Sequence, residues 1–523
     1  MHPVQIFELI VGLLVAVVAL HYLAHRFKLP ASVALIVGGS ALAFMPGLPT
    51  FEIDPELVLV VFLPPLLMDG AWFTAHASFK RHLIGILSLA IGAVLFTTAA
   101  VAFAAKLLLP SLPWPACVVL GAVVAPPDAV SARAILQRVK LPRRLSTLLE
   151  GESLLNDATG LVLVRFGVAA VLTGTFSLPA AVGSFFVLVI GGIAVGGAIG
   201  ALWVVLLRRL EEEHLMIAAS TMLCWISYLA GEKIHVSGVI ATVTTGLICG
   251  WYQHDVFRAS TRIRGIASWQ IIVFLLEASV FILIGFSLRG VLHRVGGLRV
   301  VIETMGPFVL ATIAAITIAR FVWIFGADRV LALVNRKPLG ARGATVMSWA
   351  GMRGVVTLAV ALTLPETMPG RDLILVCAFA VIVVTVLVQG TTLGIVIRAA
   401  KLEEDPRSRP PLDLNAAEVA MMKAQYVAVE RLAYDGDGKL VHPRLLERYR
   451  LRATSSDNFT GTNDERQHLI AAHYNVIIAA VGAGRAELVG LHRQNQIDDE
   501  TLHDLERDLD LEELSATLAK GSA

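Results

Sequence analysis

Charge is what this chain has least of: Asp, Glu, Lys and Arg make up 16% of its 523 residues, against 56% hydrophobic residues and a mean hydropathy of +0.73. A soluble domain carries about a quarter of its residues as charges, so lipid rather than water is indicated as the main solvent. The net charge of +2 is too small for an electrostatic grip on nucleic acid, which is excluded as a partner. Cysteine is equally scarce, and Cys117, Cys224, Cys249 and Cys377 each lie in an apolar run without metal-ligand spacing. They read as buried thiols, which excludes a disulfide framework and a zinc site. Phosphate loops, dinucleotide fingerprints and metal motifs are missing, and no nucleophile stands at helical spacing from a base. Neither an enzyme nor a cofactor is expected. No Lys or Arg precedes the first apolar run, which follows Met1-His2-Pro3 and therefore reads as a retained helix rather than a secretory signal.

What is present is hydrophobic length. Runs of about 20 apolar residues, enough to cross a hydrocarbon core of roughly 30 Å as helix, recur from Ile6 to Ala400 and then cease. Splitting them at charged or Pro/Gly-rich breaks predicts about 13 spans, beginning near Ile6, Leu29, Glu56, Leu83, Trp114, Thr147, Leu178, His214, Ile234, Ser268, Val300, Leu339 and Leu373. The predicted fold is an all-α polytopic membrane protein, with a transmembrane domain over 1–401 and a helical cytoplasmic domain over 402–523. Basic residues cluster in alternate loops, among them Lys80 and Arg81, Arg133 to Arg144, Arg258 to Arg264 and Arg329 to Arg342. They outnumber those of the other loops by about three to one, which places that face in the cytoplasm, the tail with it and the N-terminus outside a plasma membrane. The loop holding Arg289, Arg294 and Arg299 alone runs against this rule.

If spans 1 to 6 and 8 to 13 form two six-helix units around one linker span, the second unit starts on the opposite face from the first. Such inverted repeats are typical of secondary transporters, whose sites lie near the midplane on interrupted helices. Spans 5 and 12 then correspond, and both contain a break: Gly121-Ala-Val-Val-Ala-Pro126-Pro127-Asp128 in one, Gly351-Met-Arg353-Gly354 in the other. Pro127 lacks an amide hydrogen and its ring opposes the carbonyl four residues back. The freed carbonyls can face a cavity and bind a cation.

An ionised group at bilayer depth is costly, and its default reading is functional. Asp69 ends Phe62-Leu-Pro-Pro-Leu-Leu-Met-Asp69, Asp128 follows the double proline, Glu152, Ser153, Asn156 and Asp157 open span 6, and Arg353 lies in span 12. On a helix, Glu152 stacks with Asn156 and Ser153 with Asp157, giving two adjacent polar stripes. Hard oxygen donors suit a small monovalent cation better than a transition metal. A carboxylate drawn partly out of water holds its proton more tightly, so that proton and cation compete for the same oxygens. Against these roles stand a helix cap for Asp128, a solvated span end for Asp69 and a satisfied structural carboxylate for Asp157. Arg320 reads as snorkelling to the cytoplasmic face, Arg165 has no evident role, and His235 and His254 read as loop residues at the surface.

Taken together, these motifs resemble the sodium/proton exchangers of the cation/proton antiporter superfamily, in the branch of bacterial NhaP-type and animal exchangers. The resemblance spans roughly residues 5 to 401 and rests on Phe62-Leu-Pro-Pro with Asp69, Ala125-Pro-Pro-Asp128, Gly151-Glu-Ser with Asn156-Asp157, and Gly351-Met-Arg353-Gly354. It implies a homodimer that exchanges sodium or lithium for protons, with broken, crossing helices and Asp157 as the main carrier. By the same resemblance Asp128, Ser153 and the carbonyl of Pro127 lie beside Asp157, and sodium is held by Asp157, Asp128 and Ser153. Glu152 and Arg353 are implied to form a buried ion pair that steadies Asn156, and Asn156-Asp157 implies one-for-one, electroneutral exchange. Two positions depart from the family pattern: Pro127 replaces a Thr hydroxyl, and Asp69 replaces a Glu and is one methylene shorter. The first leaves a potassium-preferring exchanger open. A membrane pH sensor signalling through the tail is the reading from another class. The tail opens with a linker composition, and helical patterns follow over 416–432, 464–495 and 498–518.

Overall fold

A computed structural model describes residues 3–27, 30–45, 55–128, 141–333, 338–402, 414–434, 439–455, 463–494, 496 and 499–522. Among them the chain is helical throughout, without a strand. Its contacts divide it into two units, Met1–Ser408 and Arg409–Ala523. In the first unit the helices are α1 (Pro3–Arg26), α2 (Ala31–Ala43), α3 (Pro55–Trp72), α4 (His76–Leu108), α5 (Trp114–Val124), α6 (Arg143–Thr173) and α7 (Leu178–Leu207). They continue with α8 (Glu213–Lys233), α9 (Gly238–Val256), α10 (Ala259–Val295), α11 (Leu298–Leu333), α12 (Gly340–Trp349), α13 (Val355–Leu362) and α14 (Arg371–Ala400). By length and hydropathy α4, α6, α7, α8, α10, α11 and α14 can each cross a membrane. Lipid-facing surface accounts for their exposure: Phe186, Val187 and Ile190 of α7 are each more than half exposed, which suits hydrocarbon and would be a liability in water.

Lipid tails offer helices no hydrophobic drive to associate, so close backbone approach has to supply it. Gly192, Gly196 and Gly200, one per turn of α7, lie directly on α9, where a Cβ at Gly196 would strike the Ala241 carbonyl. Gly39 of α2 and Gly285 of α10 meet in the same way, backbone to backbone.

The packing separates two groups of helices. One comprises α1, α2, α3, α7, α8, α9 and α10; the other comprises α4, α5, α6, α11, α12, α13 and α14, and they meet chiefly where α3, α9 and α10 face α6, α13 and α14. Arg165 of α6 also reaches across to Glu232 of α8, at 2.9 Å. That contact supplies the role the sequence pattern could not assign to Arg165. Arg289, in the loop that broke the charge rule, lies within α10 and donates to the Ala43 carbonyl at 3.1 Å.

The four cysteines are buried and free. His235 is exposed in a turn, whereas His254 is an exposed residue of the last turn of α9 rather than of a loop.

The second unit holds α15 (Leu414–Leu432), α16 (Pro443–Ser455), α17 (Asn463–Arg493) and α18 (Asp499–Ser522). Three correspond to the expected helical patterns. The fourth, α16, carries the sequence signal of a proline at its first position, and its more buried residues, Leu446, Tyr449 and Ala453, recur at helical spacing. Although Tyr474–His492 of α17 is long and apolar enough to span a membrane, it pairs with α18, Arg485 reaching Asp510 and Glu513 at 2.6 Å each.

Candidate cation site

Two interruptions build the site. α5 ends at Val124 because Pro126 and Pro127 cannot continue it, leaving Ala125–Asp128 outside any helix; α12 ends at Trp349, and Ala350–Gly354 runs unwound into α13. The second half of the predicted span 5 lies outside the described residues. The unwound segments touch, the Asp128 amide donating to the Met352 carbonyl at 2.7 Å. A Cβ at Gly354 would collide with the Asp128 carboxylate, so that carboxylate rests directly on the backbone of the other break. Over this contact passes α6, where Gly160 lies against the Pro126 ring.

The freed carbonyls have partners other than those expected. Arg353 Nε donates to the Val124 carbonyl at 3.0 Å and its guanidinium to the Ala125 carbonyl at 3.2 Å, while Nη1 bonds the Gly351 carbonyl. A guanidinium thus closes the C-terminal end of α5, where orphan carbonyls and the negative end of the helix dipole favour a cation. Its own amide donates to Thr385 Oγ1 at 3.1 Å, within a π-helical turn of α14, Thr385–Gln389. The Pro127 carbonyl accepts from Asn156 Nδ2. That bond sets the amide's orientation, because a proline carbonyl can only accept.

Glu152 makes its hydrogen bonds to an arginine other than Arg353, which stays within its electrostatic reach. Its carboxylate takes both terminal nitrogens of Arg320, at 2.6 and 2.9 Å, in a pair whose members are 1% and 3% exposed. Arg320 also donates to the Met347 carbonyl at 3.3 and 3.2 Å, closing the end of α12 as Arg353 closes that of α5. Arg353 sits on an unwound segment beside open carbonyls, and α11 turns Arg320 inward towards α6. Glu152 is thereby spent on a structural pair, and Asn156 is steadied by a backbone carbonyl rather than by that pair.

On α6 this leaves Asp157, 8% exposed, and Ser153, half-buried. Asp157 is within electrostatic reach of Asp128, which is partly exposed. Beside Asp157 is Asn156, fully buried, whose Oδ1 has no hydrogen-bond partner among the described residues. The structure therefore gathers Asp157, Asp128, Asn156 and Pro127 around one crossing. Asp69 is placed on α3, where it accepts from the Trp269 indole of α10 at 3.0 Å. Arg320 and Thr385 are the site-building residues that motif reading missed; an arginine in mid-span was the available signal for the first, and nothing local marks the second.

A methyl group at residue 354 is expected to displace the Asp128 carboxylate. Gly354→Ala should weaken apparent cation affinity at least tenfold while leaving the melting temperature within a few degrees, as read from flux titrations and thermal unfolding of the purified protein.

A helical bundle with paired carboxylates at the crossing of two unwound segments has the build of a secondary transporter. The profile of the transmembrane sodium/hydrogen exchanger family matches residues 12–399. The chain is 33% identical over 528 residues to an uncharacterised Na+/H+ exchanger of Mycobacterium tuberculosis, covering 97% of this chain and 95% of that protein. It is 32% identical over 412 residues to a sodium, potassium, lithium and rubidium/H+ antiporter of Bacillus subtilis, covering 74% of this chain and 61% of the other. Its fold matches that of the sodium proton antiporter MjNhaP1 from Methanocaldococcus jannaschii with a TM-score of 0.64 at 19% identity, over 77% of this chain and all of that one. The chain belongs to the sodium/hydrogen exchanger family, as a multi-pass membrane protein. This is a family of transporters rather than enzymes, acting on sodium ions and protons without a cofactor.

Proposed function

We propose that this chain exchanges sodium or lithium for protons across the plasma membrane by alternating access, one cation for one proton, with Asp157 holding each in turn. The observation that carries this reading is the buried Asp157 carboxylate beside Asp128, at the contact of two unwound segments. Asp128 and Ser153 complete the oxygen set, and Asp69 contributes from α3. Asn156 is neutral, so one titrating carboxylate carries a single positive charge in either direction, and the cycle moves no net charge. Rocking of one helix group against the other exposes the site to each side. The thirteen-span inverted repeat, external N-terminus, cytoplasmic tail and homodimer belong to the same reading.

One feature favours a broader cation range. Pro127 stands where a threonine hydroxyl would supply a ligand, and the Bacillus relative is named for potassium and rubidium as well as sodium.

Proteoliposomes containing a pH-sensitive dye test both readings. Sodium and lithium are expected to drive proton flux that is unchanged when a membrane potential is imposed with a gradient of a permeant anion, potassium being absent. Flux that follows the imposed potential would overturn one-for-one exchange, and potassium driving flux at lower concentration than sodium would establish the broader selectivity as the main one.

A further inference from the structure

Asp157, Leu161 and Arg165 follow one another at four-residue spacing and so climb one side of α6, which puts Arg165 about 12 Å beyond Asp157 at 1.5 Å per residue. α6 begins at Arg143, on the face that the loop charges assign to the cytoplasm, and ends at Thr173. Arg165 therefore stands on the external side of the carboxylate. There its Nη2 meets Glu232 Oε2 at 2.9 Å. α6 belongs to the group of helices that carries both breaks and α8 to the other group, and the two helices scarcely touch through their backbones. Side chains alone join them here.

An apolar layer adjoins this ion pair. Leu154 and Ala158 of α6 pack in one cluster with Tyr228 of α8 and with Val239 and Ile240 of α9, and Leu161 lies against it. Tyr228 precedes Glu232 by one turn and is within electrostatic reach of both Glu232 and Arg165, so the apolar layer and the charged one are continuous. The two charged partners differ in freedom. Glu232 Oε1 also accepts the Gly238 amide at 3.4 Å, which fixes the carboxylate at the start of α9, where the positive end of the helix dipole favours it. Arg165 forms no second ion pair among the described residues, and at 52% exposure its side chain can swing into water. An exposed ion pair is weak, which suits a contact that has to part in every cycle.

We infer that Arg165 and Glu232 form the external gate of the cation site: they clasp the two helix groups beside an apolar seal and must separate before Asp157 can be reached from outside. The inference rests on the rocking of the two groups proposed above, but its first test does not depend on transport.

Leu161→Cys in the full-length protein supplies a reporter between the gate and the site, the four native cysteines being buried. A membrane-impermeant maleimide is added to intact cells, and separately to inside-out vesicles, and the labelling rate is followed by mass spectrometry. Adding Arg165→Gln or Glu232→Gln should speed labelling from outside about threefold and leave labelling from the cytoplasmic side no faster. The two together should do no more than either alone, because each breaks the same contact. Arg264 and Glu213 give the control. At 3.3 Å, with 55% and 29% exposure against 52% and 32% for the gate, they form a similar pair, but α10 and α8 belong to one helix group, so Arg264→Gln should change nothing. Labelling unchanged in Arg165→Gln, raised equally by Arg264→Gln, faster only from the cytoplasmic side, or additive in the double variant overturns the proposal. In a second measurement, Arg165→Cys with Glu232→Cys is joined by a cleavable thiol cross-linker in proteoliposomes. Sodium-driven proton flux should cease on joining and return on cleavage, and flux that persists in the joined protein overturns the gate. Absence of flux in the wild type would instead sink the exchange reading, and the labelling rates would still decide whether this pair closes the external face.

Discussion

Replacing Asp157 by asparagine is expected to reduce sodium-driven proton flux to the level of protein-free vesicles while leaving the fold intact or more stable. The carboxylate is 8% exposed and sits within reach of a second carboxylate. Taking an ionised group out of water and placing it beside a like charge costs free energy. An amide of the same shape escapes both costs, but it can neither release a proton nor neutralise a bound cation. Activity and stability should therefore move in opposite directions, a signature that a merely structural carboxylate would not give. The measurement pairs dye-reported flux with thermal unfolding of the same preparation. Residual flux above about a tenth of wild type in Asp157→Asn, or unfolding many degrees lower, would sink the assignment of Asp157 as carrier.

The second large effect lies away from the carrier. Glu152 and Arg320 form a two-bond pair with almost no exposure. Removing one member, as in Glu152→Gln or Arg320→Met, leaves an unpaired buried charge and is expected to cost about 3–5 kcal/mol. Such a loss should appear as a large fall in melting temperature and in the yield of folded protein. Replacing both together, Glu152→Gln with Arg320→Met, removes the orphan charge and should recover most of that stability. The recovery should be incomplete, because Arg320 also satisfies the Met347 carbonyl at the end of α12. A double variant no more stable than the worse single one would show that the two side chains do not act as a pair. Flux should stay low in the double variant, since Arg320 also helps hold the second unwound segment in place.

Much of this organisation is local and was open to sequence reading. Hydrophobic length specifies a membrane bundle, because burial in lipid depends on the composition of each run alone. The interruptions at Pro126-Pro127 and at Gly351–Gly354 follow from backbone chemistry within a few residues, as does the placing of Glu152 with Asn156 and of Ser153 with Asp157 on neighbouring stripes of one helix. Each of these depends on neighbours less than about two turns away along the chain.

What required the tertiary structure is the choice among partners. Arg320 and Arg353 are both buried cations in apolar segments, and either could have paired with Glu152. The rotation of α11 and the route of the unwound Ala350–Gly354 segment decide that Arg320 does. The same geometry sends Arg353 to the carbonyls of α5, Asn156 to Pro127, Asp69 to Trp269 and Arg165 to Glu232. Residue periodicity carries the rise and turn of one helix but not the angle at which two helices cross. Partner choice depends on that angle, so composition and spacing by themselves determined a membrane bundle with polar groups at its breaks, and only helix packing decided which of those groups are joined to one another.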